Sequence, residues 1–333
     1  MPITASTTTM LAVVQDGYGD ADILASRRVP QPALGDQDVL VRVHAAGLNR
    51  GTWHLMTGKP YALRLAFGLR HPRQPVIGSE LAGTVVSVGS TVTRFGPGDE
   101  AYGTGTGTFA EYAVAREDRL SRKPANLTFA QAAIVPDSAT TALQCLTDLG
   151  LVEAGQRVLV TGASGGVGSF AVQIAKALGA HVTGECGPAK LDLVRTLGAD
   201  EVLDHNVDDF ADGSRRYDLI VDLAGNPSLT RLRRALTPTG TAVIAGGEGD
   251  GNLLGMRRQL RAMLLSPFVR QRFTLCLTRL RAADLERLTT LIEAGSITPA
   301  LDRTYPLAET ADAMSRLAAG EVRGKVAIAV GVV

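Results

Sequence analysis

The chain reads as an α/β protein: a doubly wound parallel sheet preceded by an antiparallel, barrel-like β unit. Three observations predict this. Between residues 157 and 277, short apolar strands alternate with helical stretches that end in glycine, the pattern of parallel strands joined by crossover helices. Over the first 125 residues the strand candidates are punctuated by Gly, Pro and Asp, as in antiparallel β structure. The tail, 297–333, carries one helix and a last strand that can return to the first unit. The predicted domains are therefore 1–125 with 297–333, a discontinuous unit, and 126–296.

In the first unit the strand candidates are 11–14, 39–44, 83–89 and 109–114, with Gly96-Pro-Gly-Asp99 as a turn. The run from Val39 to His44 alternates apolar and polar residues, as a half-exposed strand does. In the second, Arg157-Val-Leu-Val-Thr161 is an apolar strand of the kind buried on both faces. A glycine turn follows, Ala163-Ser164-Gly165-Gly166-Val167-Gly168, and then a helical stripe of Phe170, Val172, Ile174, Ala175 and Leu178, stopped by Gly179. Residues 180–184 form the next strand. Helix 190–197, strand 201–203, strand 217–223, helix 229–236 (stopped by Pro238 and Gly240), strand 241–245 and strand 273–277 continue the alternation. Helix 310–319 and strand 325–330 complete the tail.

Strand, glycine turn and helix in one βαβ unit predict a pyrophosphate site. A helix N-terminus offers unpaired N–H groups and partial positive charge, and glycines let the backbone approach the phosphates. The predicted contacts are Ala163, Ser164, Gly165, Gly166, Val167 and Gly168. Ala224, Gly225, Gly246 and Gly247 end later strands, where small residues leave room for a ribose and a nicotinamide ring.

Bulk properties exclude several classes. A net charge of +1 gives no argument for nucleic acid, and 45% hydrophobic with 20% charged residues suit a globular chain. Three scattered cysteines make no disulfide framework and suit a reducing cytoplasm. No apolar run has the length of a membrane span, and the N-terminal residues lack a secretory pattern, so a cytoplasmic protein is expected.

The order of motifs, Gly98-Asp-Glu100, Phe109-Ala-Glu-Tyr112, Ala163 to Gly168 and a terminal Gly-Lys-Val326, resembles the medium-chain dehydrogenase/reductase superfamily over nearly the whole chain. Within it, Ala45-Ala-Gly-Leu-Asn49 followed by Trp53-His54 is most similar to the zinc-independent quinone oxidoreductase branch. The resemblance implies a GroES-like catalytic domain, a Rossmann domain and a homodimer. It puts Asn49 at the active-site cleft, near the nicotinamide ribose or the substrate oxygen. It puts His54 where it can donate a hydrogen bond or a proton to the substrate, Trp53 in packing or the pocket, and Thr141 against the nicotinamide. Lys325 joins the cofactor contacts.

Zinc relatives carry a Cys and a His-Glu pair where this chain reads Leu48-Asn49 and Gly78-Ser79-Glu80, and the four-cysteine lobe is missing. No metal is expected; His54 and His71 read as unconnected. Without a metal, the hydride acceptor must spread charge by conjugation, which points to a quinone or an α,β-unsaturated carbonyl. For the cofactor, the strand register places Cys186 at the discriminating position, beside Gly187 and with Lys190 for a 2′-phosphate. NADP(H) is preferred; a one-residue shift would bring in Glu185 and favour NAD(H).

Asp137 departs from the small or apolar residue usual there, and its role stays open between exposure and pocket tuning. The basic stretch 251–272 reads as a solvated helix face, with a cover over the cofactor, a subunit interface or a membrane surface as alternatives. The expected function is reduction of quinones or enones. The alternatives are an NADP-dependent alcohol dehydrogenase, an enoyl-thioester reductase, or an NADPH-binding structural or regulatory protein with little turnover.

Overall fold

The computed structural model describes residues 8–225, 227–246 and 257–331. The chain forms two compact units, one of residues up to Asp137 with Leu280–Thr289 and Leu301 onward, the other of Ser138–Arg279 with Thr290–Ala300. Residues 126–137 and 280–289, grouped by sequence with the nucleotide-binding part, cluster with the first unit.

The first unit contains β1 (Thr9–Val14), β2 (Ala25–Pro30), β3 (Asp38–Leu48), α1 (Arg50–Thr57), α2 (Leu63–Phe67), β4 (Glu80–Val88), β5 (Glu100–Thr104), β6 (Tyr112–Arg116), β7 (Leu120–Arg122) and α3 (Phe129–Ala133). Its main sheet runs β14-β15-β3-β4-β5-β7, with β6 also on β3; β14 is Leu301–Pro306 and β15 is Lys325–Ala329. The predicted return of the tail is seen in β15, which pairs antiparallel with β3 through Val326 and Leu48. Strand β3 forms because Val39, Val41 and Val43 face one core while Arg42 stays outside; its second half, Ala45 to Leu48, is buried throughout. Gly47 has a spatial reason: a Cβ there would lie 2.4 Å from the Ala133 carbonyl oxygen and 2.7 Å from Glu80 Oε2. The missing side chain is what lets the Glu80 carboxylate sit against the strand.

The second unit starts within α4 (Pro136–Gln144) and holds β8 (Arg157–Thr161), α5 (Gly166–Ala177), β9 (His181–Cys186), α6 (Leu191–Thr196), β10 (Glu201–Asp204), β11 (Tyr217–Asp222), α7 (Leu229–Ala235), β12 (Leu236–Ile244), α8 (Arg257–Leu265) and β13 (Arg272–Leu275). All six strands are parallel, in the order β10-β9-β8-β11-β12-β13, so the chain winds outward both ways from β8. The topological switch point lies between β8 and β11. Val158, Leu159 and Val160 are fully buried, as the apolar run of a two-sided strand requires. Residues 236–240 differ from expectation. They are not a turn but the start of β12: Leu236 pairs with Tyr217, and the register shifts before Leu219 meets Thr241. Pro238 is tolerated because it falls within that irregularity, where no ladder N–H is required.

The remaining helices, α9 (Ala282–Glu293) and α10 (Thr310–Ala318), follow β13 in the chain. The described part of the basic stretch is helical over α8 and, as a single 3-10 turn, over Ser266–Phe268; residues 251–256 lie outside the described residues.

Candidate functional site

In the second unit the glycine turn adopts the predicted form. Gly162 has φ +69° and Gly165 caps α5. A Cβ on Gly168 would stand 2.2 Å from the Gly162 carbonyl oxygen, so only glycine lets the helix start this close to the turn. The Ala163 N–H is used, donating to the Glu185 carbonyl at 2.9 Å. The first intrahelical bond runs from Ser169 N to Gly165 O, so the N–H groups of Gly166, Val167 and Gly168 precede it at the positive end of α5. A Cβ on Gly165 would meet only the Gly162 carbonyl oxygen, at 3.4 Å, and the space outside the turn is open. These features fit a pyrophosphate.

The neighbouring strand ends are tied by Asp222, which is fully buried. Its Oδ1 accepts from Thr161 Oγ1 at 2.8 Å and from Gly225 N at 3.2 Å. Thr161 Oγ1 accepts in turn from Leu223 N and Ala224 N, at 3.2 and 3.3 Å. A Cβ on Gly246 would lie 2.1 Å from the Leu223 carbonyl oxygen. Ala224, Gly225 and Gly246 thus pack backbone against backbone at the carboxyl edge of the sheet. Gly247 lies outside the described residues. Thr141, on α4, exchanges a 2.8 Å hydrogen bond with Thr278.

At the end of β9, side chains alternate. Cys186 shares a face with Gly184, whose Cβ would meet Val194 of α6 at 2.5 Å. Burial pushes the Cys186 thiol up to about 11, and the positive charges of Lys190 and Arg195 pull against that. It is neutral at physiological pH. Glu185 points to the other face; burial raises it to about 7, opposed by Arg231 of α7. Gly187 and Lys190 follow in the short turn before α6, where a Cβ on Gly187 would stand 3.5 Å from the His205 ring.

In the first unit, Asn49 organises a buried polar network. It caps α1: its Oδ1 accepts from Thr52 N at 2.8 Å. Its Nδ2 donates to Glu80 Oε2 at 2.8 Å and to Asp137 Oδ2 at 2.5 Å. Glu80, fully buried, also accepts from Lys325 Nζ at 2.5 Å and from Asp137 N at 2.9 Å. Ser79 Oγ donates to Asp137 Oδ2 at 3.0 Å. Burial and the Glu80 charge raise Asp137 to about 7, against the pull of Lys325 and the hydrogen bonds from Ser79 and Asn49.

The geometry gives several predicted residues partners within the protein. The Asn49 amide is committed on both sides and holds the network together. Lys325 is buried and paired with Glu80. His54 donates through Nδ1 to the Lys59 carbonyl at 2.8 Å. A carbonyl can only accept, so Nδ1 carries a proton, and Nε2 is left to accept in the neutral ring or to donate in the imidazolium. Trp53 packs on the core of the first unit, with the Arg50 guanidinium 4.7 Å over its ring. Asp137 was noticed in the sequence as a misfit, but its partners lie too far along the chain to be read there.

A metal does not fit this network. The donors are an amide, a hydroxyl and two carboxylates, one of them already neutralised by a lysine ammonium that a cation would have to displace. Among the described residues no three His, Cys, Asp or Glu side chains stand together to hold an ion.

Comparison with known proteins agrees with the fold. Sequence-family models for an alcohol dehydrogenase GroES-like domain and for a zinc-binding dehydrogenase match residues 35–125 and 197–328. A quinone-oxidoreductase homolog of Spinacia oleracea chloroplasts is 33% identical, covering 96% of this chain and 98% of that protein. The quinone oxidoreductase structure from Coxiella burnetii superposes with a TM-score of 0.86 at 27% identity, covering 97% of this chain and 100% of that one. The mycobacterial protein Rv1454c, solved with NADPH, gives a TM-score of 0.82 at 26% identity, with 96% and 100% covered. The fold and the glycine turn define a two-unit, nucleotide-dependent oxidoreductase. The chain belongs to the medium-chain dehydrogenase/reductase superfamily, in its quinone oxidoreductase-like branch.

Proposed function

We propose that the protein is a zinc-independent reductase that takes hydride from NADPH and delivers it to a quinone or an α,β-unsaturated carbonyl. The observation that carries this reading is the network around Asn49. Where zinc relatives hold metal ligands, this chain has built a self-satisfied set of hydrogen bonds around a Glu80–Lys325 ion pair. An acceptor that needs no Lewis acid is one whose developing charge is delocalised, as in an enone or a quinone. The names of the spinach and Coxiella relatives point the same way.

Bound on the second unit, NADPH would supply the hydride. The N–H groups of Gly166 to Gly168 would hold its pyrophosphate, with Ala224, Gly225 and Gly246 beside the ribose and nicotinamide. NADPH is favoured over NADH because the residue ending β9 is a neutral thiol under the charges of Lys190 and Arg195, while Glu185 lies on the opposite face. The mycobacterial relative binds NADPH. In this reading the first unit is the catalytic domain and the second the nucleotide-binding domain.

Cofactor oxidation, followed with quinones, enones, aldehydes and alcohols in turn, tests this. We expect turnover with quinones and enones, and a kcat/KM for NADPH at least tenfold above that for NADH. Equal or better use of NADH would contradict the cofactor assignment, and activity confined to alcohols would contradict the substrate class.

A further inference from the structure

The three cysteines of the chain are free thiols, and two of them meet. Cys145 is fully buried and opens a π-helical turn, Cys145–Gly150, that continues α4. Cys276 is half-buried and stands directly after β13. The Cys145 thiol donates a hydrogen bond to the Cys276 sulfur. Further pairs hold the same two segments together. Thr141 Oγ1 and Thr278 Oγ1 share their 2.8 Å bond. Gln144 Nε2 donates to the Arg279 carbonyl at 2.6 Å, and Arg279 N donates back to Gln144 Oε1 at 3.0 Å. The end of α4 therefore lies along residues 276–279, with the two sulfurs set among fixed neighbours. All six parallel strands, β8 to β13, lie between Cys145 and Cys276 in the chain.

We propose that Cys145 and Cys276 form a redox-reversible staple: a hydroperoxide joins them in a disulfide that closes a ring around the whole parallel sheet, and a thiol reductant opens it. Cys276 is the attacking sulfur. It is the more exposed of the two, and it faces donors from both Cys145 and Thr278, the latter at 3.9 Å. Hydrogen bonds to a thiolate favour it, and the thiolate is the nucleophile. Its sulfur breaks the O–O bond of hydrogen peroxide, water leaves, and Cys276 becomes a sulfenic acid. The Cys145 thiol then attacks that sulfur. The S–S bond forms, the S–O bond breaks, and the hydroxyl leaves as water with the Cys145 proton. Together the two thiols lose two electrons and two protons, and the peroxide is reduced to two waters. A dithiol reductant reverses the step by thiol–disulfide exchange and is itself oxidised to its disulfide.

The two thiols are unequal in the way such a pair requires. The hydrogen bond from Cys145 holds the Cys276 thiol below its ordinary value, helped by Thr278 and opposed by burial and the Asp148 charge. The same bond, with burial, holds Cys145 above its own. One sulfur is reactive and the other is a protected thiol placed to resolve it. Because the sulfurs are already in contact, the bond forms with little movement of the backbone. Cys186, at the end of β9, is the comparison within the chain, since burial pushes its thiol up to about 11. The staple stands apart from the choice of substrate and cofactor.

The test treats the full-length protein, reduced and freed of reductant, with one equivalent of hydrogen peroxide, then alkylates and digests it. Mass spectrometry should find the Cys145 and Cys276 peptides joined within one molecule, with Cys186 alkylated. Thermal unfolding of the oxidised protein should move up by roughly 5–15 °C, as expected for a disulfide that closes a long loop, and dithiothreitol should reverse the shift. Cys276→Ser should show neither the linkage nor the shift. Cys145→Ala should stop at a Cys276 sulfenic acid, which dimedone captures, again with no shift. If the variant at buried Cys145 fails to fold, Cys276→Ser, at the half-buried position, decides. Preferential oxidation of Cys186, linkage only between molecules, or a dimedone adduct that persists on Cys276 in the wild-type protein would overturn the pairing. A linked protein that melts at the same temperature as the reduced one would overturn the staple.

Discussion

At the scale of single residues, neutral and charged groups are sorted by burial. Glu185 is only 6% exposed, and its acid is held at about 7 against an unperturbed 4.5. The folded state therefore binds a proton that the unfolded state has released between pH 4.5 and 7, so stability falls as pH rises across that window. Full ionisation of Glu185 costs about 3 kcal/mol on this reckoning, at ~1.4 kcal/mol per pH unit. Asp137 adds a loss of the same sign. Glu185→Gln should therefore be the more stable protein at pH 8, by about 2–3 kcal/mol, and should differ little at pH 4.5. Urea unfolding at the two pH values checks it; an equal effect at both would mean that the carboxyl is not held neutral.

Residues also mark the limit of what sequence reading reached. The glycine turn was legible because its spacing is local: Gly162, Gly165 and Gly168 act within one strand–helix junction. The polar network was not. Its members, Asn49, Ser79, Glu80, Asp137 and Lys325, come from opposite parts of the chain, and the Glu80–Lys325 pair alone spans 245 positions. No periodicity links them, so their hydrogen bonds to one another carry no signal in the sequence. The partner of His54 was hidden for a different reason: it is the backbone carbonyl of Lys59, which carries no side-chain signal.

At the scale of elements, strands and helices with buried periodicity were read closely. The helix predicted from Phe170 to Leu178 is α5, and the strand expected at 217–223 is β11. Elements without such a period escaped: β2 has exposed Ser26, Arg27 and Arg28 along its length, and β5 opens with exposed Glu100. The basic helix shows how context overrides composition. Read as a solvated face, α8 in fact plants Arg258 on the fully buried Asp222 and on the Pro227 carbonyl. One arginine anchors the helix beside the strand ends at Gly225 and Gly246, while Met263 and Leu264 stay exposed. Arg258→Ala would leave the Asp222 charge buried without its cation. Such losses cost about 3–5 kcal/mol. Amide exchange across 257–265 should speed up accordingly, and unchanged exchange there would show that the pair does not anchor the helix.

At the scale of the whole molecule, the two larger sheets of the chain follow different logic. The antiparallel sheet is completed by a strand from the far end of the sequence, β15 between β14 and β3, and this placement also buries Lys325 beside Glu80. The parallel sheet is built from one continuous run of strands and opens its carboxyl edge at the β8–β11 switch point. No helix among the described residues is long and apolar enough to cross a membrane. The central claim is that hydride from NADPH reaches the conjugated carbon of an enone without metal assistance. Its most direct test is reduction of a simple cyclic enone by NADPH deuterated at nicotinamide C4, on the transferred face, in the presence of a chelator, with the product analysed by NMR. The account predicts a saturated ketone bearing deuterium at the β-carbon. Deuterium at the carbonyl carbon of an allylic alcohol, or a reaction that stops when the chelator is added, would contradict it.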